Sequence, residues 1–364
     1  MLSARLTRSV MLRNEIKHEG AKTLRTCHTE ENMQRLSSSV FAIVISIGFI
    51  AFAHENMAQS REAPKNGTRL LTLGTRAGPF PTVGRAQSSN LLIVNGALYI
   101  VDAGPGVTRR LTRAAINTRD IDNIFITHAH DDHTGGLGEL LTVEYNLNRP
   151  KPVNIYGPPG TETLVKALMQ ALTVSSDIRI SDGTRVVPIA KMLVGYDKGT
   201  GAIYQDANVK VIAAENSHFN FPPGTPAHGK YKSYAYRFET PDRVTVFTGD
   251  TGPSAAVTEL AKGADMLVSE VTTSIEEYKE RQIKSVRWQS MTPEEQAGSI
   301  RHMSQEHLTP EEVGKMAARA GVKTVVLTHL PATDDPKDDY KRFGEQVKKH
   351  FSGQVLIAKD LMEF

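Results

Sequence analysis

The sequence predicts an α/β fold with mixed sheets. From Thr68 onward, short runs rich in Val, Ile, Leu and Thr alternate with amphipathic segments, a pattern typical of strands and helices in turn. Two early runs, Leu91–Asn95 and Leu98–Asp102, flank Gly96 and predict an antiparallel hairpin. Helical segments recur between the later strands, as parallel crossovers require. The sheets are therefore not expected to be purely parallel.

The predicted elements follow from these runs in chain order. The strands are Arg69–Leu73, Leu91–Asn95, Leu98–Asp102, Asn123–Thr127, Val153–Tyr156, Asn208–Ala214, Tyr234–Glu239, Arg243–Thr248, Met266–Ser269, Lys323–Thr328 and Gln354–Ala358. The helices are Gly106–Ile116, Leu137–Leu147, Thr161–Leu172, Ser254–Ala261, Pro310–Ala320 and Asp335–His350. The fifth helix has the clearest start, because Thr309 can cap it, Pro310 suits its first turn and Glu312 completes a capping box.

Composition and charge limit the classes of function. The 364 residues are 40% hydrophobic and 23% charged, which is typical of a globular protein. Residues 61–364 carry 36 Lys and Arg against 35 Asp and Glu, so no basic excess favours a nucleic-acid partner. The single cysteine, Cys27, precedes this region. Any metal held by residues 61–364 must therefore be bound by histidines and carboxylates.

The N-terminal segment predicts export to the periplasm or the medium. Val40–Ala53 is apolar and uncharged, Arg35 precedes it, and it ends in a small-x-small sequence typical of signal-peptidase sites. Its fourteen residues are too few for a stable membrane span, although a membrane anchor or a buried helix is the alternative. We expect a leader over 1–53, in which the signal peptide starts near Met33 and residues 1–32 belong to an over-extended start. A linker over 54–67 and a domain over 68–364 follow.

A cluster of metal-ligand residues follows the strand Asn123–Thr127. The sequence HAHDDH places His128 and His130 on one side of an extended turn, and neutral imidazoles suit Zn²⁺. Asp132 and His133 then face a second position, so one short loop can begin two metal sites. The alternative is a polar surface cluster.

Three further candidates stand where strands end. His218 follows Asn208–Ala214, Asp250 follows Arg243–Thr248, and His329 follows Lys323–Thr328. Each would be ordinary alone, but strand ends are rigid positions for ligands. Together with the HAHDDH cluster they predict a two-metal centre.

This order of motifs resembles the metallo-β-lactamase superfamily of metal-dependent hydrolases. The resemblance implies a four-layer αβ/βα sandwich with two mixed sheets, and a dinuclear site. The implied ligands are His128, His130 and His218 for one metal, Asp132, His133 and His329 for the other, and Asp250 for both. Asp102 matches the acidic position that supports the ligands in that family. The implied cofactors are two divalent ions, Zn²⁺ first, with Mn²⁺ or Fe as alternatives.

Within the superfamily, the sequence resembles the ribonuclease Z and secreted arylsulfatase branch. That resemblance rests on residues 247–254 (FTGDTGPS), 269–272 (SEVT) and 305–309 (QEHLT). It implies that His307 donates a proton to the leaving group and that Asp132 orients the nucleophile. The alternative for His307 is a residue near the helix cap Thr309.

The expected reaction is hydrolysis of a sulfate or phosphate ester of a small molecule, arylsulfatase-like or phosphodiesterase-like. His218 and Asp250 are only 32 positions apart, which leaves no room for the long tRNA-clamping arm of ribonuclease Z. The alternatives are a ribonuclease Z-type tRNA 3′ endonuclease, a lactonase or other ester hydrolase, and a non-enzymatic metal-binding protein. A homodimer is expected from related hydrolases.

Two further segments have candidate roles in substrate binding. Arg85 is a candidate for binding an anionic group. The aromatic stretch Phe219–Tyr236 is expected either to cover the pocket or to pack on the surface.

Overall fold

The computed structural model describes residues 67–333 and 338–364. The predicted leader, its apolar run and the linker lie outside these residues, apart from Gly67. Among the described residues, no helix is both long and apolar enough to cross a membrane.

Fourteen strands occur in the described part of the chain. They are β1 (Thr68–Gly74), β2 (Ser89–Val94), β3 (Ala97–Ala103), β4 (Ile121–Phe125), β5 (Val153–Gly157), β6 (Leu193–Asp197), β7 (Gly201–Gln205), β8 (Lys210–Glu215), β9 (Tyr234–Glu239), β10 (Val244–Phe247), β11 (Met266–Glu270), β12 (Thr324–Thr328), β13 (Gln354–Ile357) and β14 (Met362–Glu363). All eleven predicted strands are present, within three residues at each end. Strands β6, β7 and β14 were not predicted.

The helices connect these strands. They are α1 (Val107–Arg113), α2 (Asp131–Thr134), α3 (Leu137–Asn146), α4 (Thr161–Ser181), α5 (Ala255–Leu260), α6 (Ile275–Ile283), α7 (Val286–Ser290), α8 (Pro293–Gln305), α9 (Pro310–Ala320) and α10 (Lys341–Lys348). Helix α9 begins and ends where predicted, with the Thr309–Glu312 capping box in place and Gly321 at φ 64° after its last turn. Helix α4 runs past the predicted end at Leu172, and α10 begins at Lys341 rather than at residue 335.

The strands form two seven-stranded mixed sheets. The first has the order β14-β1-β2-β3-β4-β5-β6 and the second has the order β13-β12-β11-β10-β9-β8-β7. In the first sheet, β14, β1, β2 and β3 pair antiparallel, whereas β3 to β6 are parallel. In the second, β7 to β10 are antiparallel and β10 to β13 are parallel. This confirms the predicted mixed sheets.

Alternating side chains divide the core into three layers. In β2, Leu91 and Ile93 pack towards the helices α1, α3 and α4, whereas Leu92 and Val94 face the other sheet. In β12, Val325 and Leu327 contact the helices α5, α9 and α10, and Val326 faces inward. Each sheet is therefore covered by helices outside and by the other sheet inside, which is the four-layer αβ/βα sandwich.

Candidate metal centre

The candidate ligands come from loops at one edge of the two sheets. The HAHDDH cluster follows β4, His218 follows β8, Asp250 follows β10 and His329 follows β12. Strands β8, β10 and β12 run in the same direction, because β9 is antiparallel to both β8 and β10. Loops that leave the carboxyl ends of these strands therefore meet, and all seven predicted ligands lie in two adjacent groups.

The HAHDDH cluster changes conformation halfway. His130 is extended (φ −64°, ψ 151°) and stands before α2, a single helical turn that contains Asp132 and His133. The expected extended turn is thus confined to residues 128–130. The helical turn places Asp132 and His133 in a second group, in which the centre of the His133 ring lies 4.1 Å from that of His128.

The first group consists of three histidines. His130 Nδ1 lies 3.1 Å from His128 Nε2 and 3.1 Å from His218 Nε2. His218 Nδ1 lies 3.0 Å from the Glu306 carbonyl oxygen, to which it can donate, so that Nε2 stays free to accept a metal. Burial lowers the pKa of all three, well below the ordinary value for His128 and His218. They are therefore neutral imidazoles, the form that ligates a cation.

The second group combines two histidines with two carboxylates. His329 Nε2 lies 3.2 Å from Asp132 Oδ2 and 3.1 Å from Asp250 Oδ2, and His133 Nε2 lies 3.3 Å from Asp250 Oδ1. Asp250 Oδ2 is also 3.9 Å from both His128 Nε2 and His218 Nε2. Asp250 therefore faces both groups, as a ligand shared between two metals must.

The charges of the second group are balanced within it. Burial opposes charge on His133 and His329, but the nearby carboxylates outweigh it, raising the pKa of His133 well above its ordinary value and that of His329 to about 10. Burial likewise opposes charge on Asp132 and Asp250, but the same two histidines hold the carboxyl pKa values below their ordinary range. The positive charges of the protonated histidines thus balance the negative charges of the two carboxylates, which a metal cation can balance instead.

Two buried atoms support the fit of a metal here. His133 Nε2 and Asp250 Oδ1 are inaccessible to solvent and face each other at 3.3 Å, but neither forms a hydrogen bond. A buried polar atom without a partner is unfavourable, and metal coordination would satisfy both. Histidine nitrogens with carboxylate oxygens are a suitable donor set for Zn²⁺, Mn²⁺ or Fe.

Asp102 supports this group from behind. Its Oδ2 lies 2.8 Å from His133 Nδ1, and its Oδ1 accepts a hydrogen bond of 2.7 Å from the backbone N–H of Thr127. The carboxylate therefore keeps the proton of His133 on Nδ1 and leaves Nε2 available to a metal. Asp102 and His329 both adopt positive φ (62° and 48°), a strained conformation common at functional sites.

His307 lies beside the two groups, against an acid that the sequence analysis did not assign a role. His307 Nδ1 is 2.9 Å from Glu270 Oε2, and His307 Nε2 is 3.2 Å from His302 Nε2. Burial lowers the pKa of His307 to about 3 and raises that of Glu270 well above its ordinary value. Glu270 is the last residue of the buried strand β11. Its position in the motif SEVT is the sequence signal from which a role at the site could have been predicted.

A cavity of about 530 Å³ opens onto the centre, and Asp132, Asp250 and His307 line it. A smaller cavity of about 240 Å³ adjoins His128 and His130 on the other side and is lined by Phe219 and Tyr231.

The aromatic stretch covers the pocket with its first part, whereas its last part is buried in the core rather than packed on the surface. Phe219 contacts the rings of His130 and His218, and Phe221 stacks on Phe219 with centroids 5.7 Å apart. Tyr234 and Tyr236 are instead buried in the core between the sheets. Only the first part of the stretch therefore covers the centre.

The expectation that Arg85 binds an anion is wrong for this structure. Its Nη1 donates to Thr75 Oγ1 (2.6 Å) and to the Ala358 carbonyl (3.0 Å), and its guanidinium lies 5.2 Å from the centre of the Tyr340 ring. Arg85 thus joins the loop after β1 to the chain after β13. Three other arginines line the large cavity, among them the buried Arg76, and none of them was predicted from the sequence.

Comparison with known proteins agrees with this geometry. Residues 98–330 match the family model described as "Beta-lactamase superfamily domain". The chain belongs to the metallo-β-lactamase superfamily. It is accordingly a hydrolase, as the resemblance implied.

Among curated relatives of this superfamily member are several named ribonuclease Z. That of Mycolicibacterium paratuberculosis is 30% identical over 295 residues, which are 79% of this chain and 95% of the relative. That of Mycobacterium sp. strain KMS is 31% identical over 79% of this chain and 93% of the relative. These matches span nearly the whole length of the relatives.

Solved structures share the fold. The short form of human tRNase Z has a TM-score of 0.56 at 21% identity and is covered over 98% of its length by 81% of this chain. A diphosphatase of the PhnP family has a TM-score of 0.54 at 18% identity, with 82% of this chain and 96% of that chain covered. At these identities the structures support the fold alone.

Proposed function

We propose that this chain is a two-metal phosphodiesterase with a ribonuclease Z-type reaction. The observation that carries the proposal is Asp250, which faces both ligand groups while His307 lines the same cavity. The relatives named ribonuclease Z support the phosphodiester over the sulfate ester that the sequence analysis placed first. They also remove the ground for expecting no nucleic-acid substrate.

The proposed metal ligands are the seven predicted residues. His128, His130 and His218 would hold one ion, and Asp132, His133 and His329 the other, with Asp250 shared. When bound, two divalent cations polarise the phosphoryl oxygens and lower the pKa of a water molecule towards neutrality.

The side chains around the ions orient the reactants. Asp132 and Asp250 are nearly fully buried, so their carboxylates are held in place and can orient the attacking water. Gly78 fixes Asp132 further, because its backbone N–H donates to Asp132 Oδ2 at 2.8 Å. Both carboxylates therefore keep their positions while the substrate exchanges.

His307 is the proposed proton donor to the departing oxygen. Glu270 lies against Nδ1, and Nε2 lies 3.2 Å from Nε2 of His302, which lines the cavity together with His307. Burial lowers the pKa of His307 to about 3 and so favours the neutral imidazole. A bound phosphodiester places negative charge beside the ring, which raises the pKa and favours the protonated form that general-acid catalysis needs.

Hydrolysis of a substrate panel tests this proposal. Protein loaded with Zn²⁺ or Mn²⁺ is offered bis-p-nitrophenyl phosphate, an RNA with a structured 3′ extension, p-nitrophenyl sulfate and a simple lactone. We expect turnover of the phosphodiester and of the RNA, and a loss of at least 10²-fold in His307→Ala. Cleavage of the lactone alone, unaffected by that variant, would contradict the proposal.

An arylsulfatase-type reaction is the second candidate, and the small cavity favours it. Phe219 and Tyr231 beside the first histidine group can accommodate an aromatic leaving group. Turnover of p-nitrophenyl sulfate at a higher kcat/KM than the phosphodiester would establish this alternative.

Export, predicted from residues 33–53, bears on the natural substrate. We propose that the protein leaves the cytoplasm, in which case tRNA precursors are not its substrates and other phosphodiesters are. N-terminal sequencing of the mature protein from cell fractions tests this. A full-length cytoplasmic protein would return tRNA processing to first place.

A further inference from the structure

One wall of the large cavity carries three arginines. Arg76, Arg281 and Arg287 line it together with the candidate metal centre. Arg76 belongs to the loop after β1, Arg281 to α6 and Arg287 to α7. The cavity therefore has a cationic wall beside the site of the proposed reaction.

Arg76 is nearly fully buried but only partly bonded. Its side chain is 5% exposed, and its Nη1 donates to the Leu330 carbonyl at 2.8 Å. Its Nε has no hydrogen-bond partner. Burial lowers the pKa of Arg76, and the neighbouring positive charge of Arg281 acts in the same direction.

The one carboxylate that acts on Arg76 has other partners. Asp132 favours the charged form of Arg76, but its Oδ2 already accepts from Gly78 and lies 3.2 Å from His329 Nε2. Asp132 is also a proposed metal ligand. It therefore does not neutralise Arg76 in an ion pair.

Arg281 is in a similar position. It is half-buried, and its Nε is inaccessible to solvent without a hydrogen-bond partner. Arg287 lies further out, with its guanidinium 5.7 Å from the centre of the exposed Phe80 ring. Within residues 67–333 and 338–364, none of these three arginines forms a salt bridge.

Several other buried or half-buried arginines of the chain are paired with carboxylates, whereas Arg85, Arg185 and Arg243 donate to backbone carbonyls. Arg149 contacts Glu144 at 2.8 Å and Asp122 at 2.5 Å. Arg342 donates two hydrogen bonds of 2.7 Å to Glu277. Two like charges held together beside a cavity are unfavourable unless an anion compensates them. The buried Nε atoms of Arg76 and Arg281, which have no hydrogen-bond partner, thus indicate that a ligand supplies the anion.

We propose that Arg76 and Arg281 bind a second anionic group of the substrate, one that is not cleaved. This inference rests on the proposed phosphodiesterase function and deepens it. The substrate class is a phosphodiester that carries a further phosphate or carboxylate near the scissile bond. Guanidinium groups suit such oxyanions because they donate several hydrogen bonds in a fixed plane. The second anion is either a neighbouring phosphate of a polynucleotide or a terminal group of a small molecule.

A matched pair of substrates tests the proposal with the metal-loaded protein. The p-nitrophenyl ester of thymidine 5′-phosphate is compared with the same ester bearing an additional 3′-phosphate. We expect a KM at least tenfold lower for the ester with the 3′-phosphate. Arg281→Gln should remove that advantage in KM, because a hydrogen bond between charged groups contributes about tenfold or more to binding.

Variants are chosen so that folding does not decide the result. Arg281 is half-buried, so Arg281→Gln should fold, and Arg76→Lys keeps the buried charge while removing the planar donor set. Arg109→Gln is the matched control, since Arg109 is exposed on α1. Circular dichroism checks each fold. An unchanged KM ratio in both Arg281→Gln and Arg76→Lys would overturn the proposal.

Binding to the metal-free protein separates this inference from the proposed function. Inorganic pyrophosphate is titrated calorimetrically into protein treated with a chelator. We expect a Kd at least tenfold weaker in Arg281→Gln than in the wild type or in Arg109→Gln. This result would support the anion site even if no phosphodiester were turned over. Equal Kd values in all three proteins would refute the site even if phosphodiesterase activity were established.

A last comparison identifies the source of the anion. Inhibition by thymidine 3′,5′-bisphosphate is measured beside inhibition by a thymidine tetranucleotide. At least tenfold stronger inhibition by the tetranucleotide, lost in Arg281→Gln, would identify a neighbouring phosphate of a polynucleotide. Equal inhibition by both, also lost in Arg281→Gln, would identify a small-molecule phosphate. Inhibition that Arg281→Gln leaves unchanged for both would overturn the proposal.

Discussion

Replacing Asp102 with asparagine should weaken one metal site and spare the other. The asparagine oxygen can keep the 2.7 Å hydrogen bond from the Thr127 backbone, so the loop should stay in place. The amide nitrogen would face His133 Nδ1 at the position of Oδ2, now 2.8 Å away. Two donors cannot share that contact. His133 must therefore move its proton to Nε2, the atom that would bind the metal.

The magnitude follows from the loss of this one contact. Removing a partner that orients a ligating histidine lowers metal affinity about 10- to 100-fold, or about 1.4–2.7 kcal/mol. Only the group that contains His133 should be affected, because the hydrogen bonds of Asp102 in the described part of the chain go to Thr127 and His133. In the presence of a competing chelator, the variant should retain about one metal ion per chain under conditions where the wild type retains two.

Competition with a chromogenic chelator, read together with the metal content after gel filtration, measures both affinities. Asp206→Asn is the matched control, since Asp206 accepts from the hydroxyls of Tyr99 and Tyr204 and belongs to neither ligand group. Equal weakening of both sites would show general unfolding of the centre. Two affinities within twofold of the wild type would refute the orienting role of Asp102.

Three further predictions concern packing, charge and pH. Gly78→Ala would place a Cβ 2.3 Å from the Asp132 Cγ and displace that carboxylate, so kcat should fall about 10²-fold. Gly84→Ala is the control: no heavy atom lies within 4 Å of the added Cβ, so kcat should not change. Arg149→Met leaves Glu144 buried without a partner and should lower the free energy of unfolding by about 3–5 kcal/mol in urea denaturation, part of which Glu144→Gln restores. The pKa values of the two histidines that face carboxylates are raised, so these histidines must release protons before they bind a metal. Metal affinity should therefore rise as the pH increases from 6 to 8. Calorimetry in buffers of different ionisation enthalpy would detect the released protons. An affinity that does not depend on pH would contradict this prediction.

Much of the fold was predictable because its strands are buried. The strand Tyr234–Glu239 and the helix Pro310–Ala320 have the predicted bounds, since one has an apolar face and the other has clear caps. Helices α6 to α8 were missed because they are rich in polar residues and bury no residue completely. The capping box of Thr292 and Glu295 was the signal that could have found α8.

The candidate centre was predictable where its chemistry is concentrated in sequence. HAHDDH stands out within six residues, and the lone ligands could be found by their place after strands. Arg76 could not, because its importance comes from a cavity formed with α6, about 200 positions later. Arg85 was predicted to bind an anion because of its position in a loop, but its Nη1 donates to Thr75 and to the Ala358 carbonyl. Partners distant in the chain decide what an arginine does, and sequence alone does not show them.

The pairing of β14 with β1 has a consequence for the order of folding during synthesis. Strand β1 has β2 as its partner early, but its other edge stays unpaired until Met362 and Glu363 leave the ribosome. The candidate ligands are similarly spread from His128 to His329. A nascent chain of 300 residues would thus have an open sheet edge and an incomplete metal centre together. Metal uptake is therefore expected after translation, and premature termination should yield chains prone to aggregation rather than partly active enzyme.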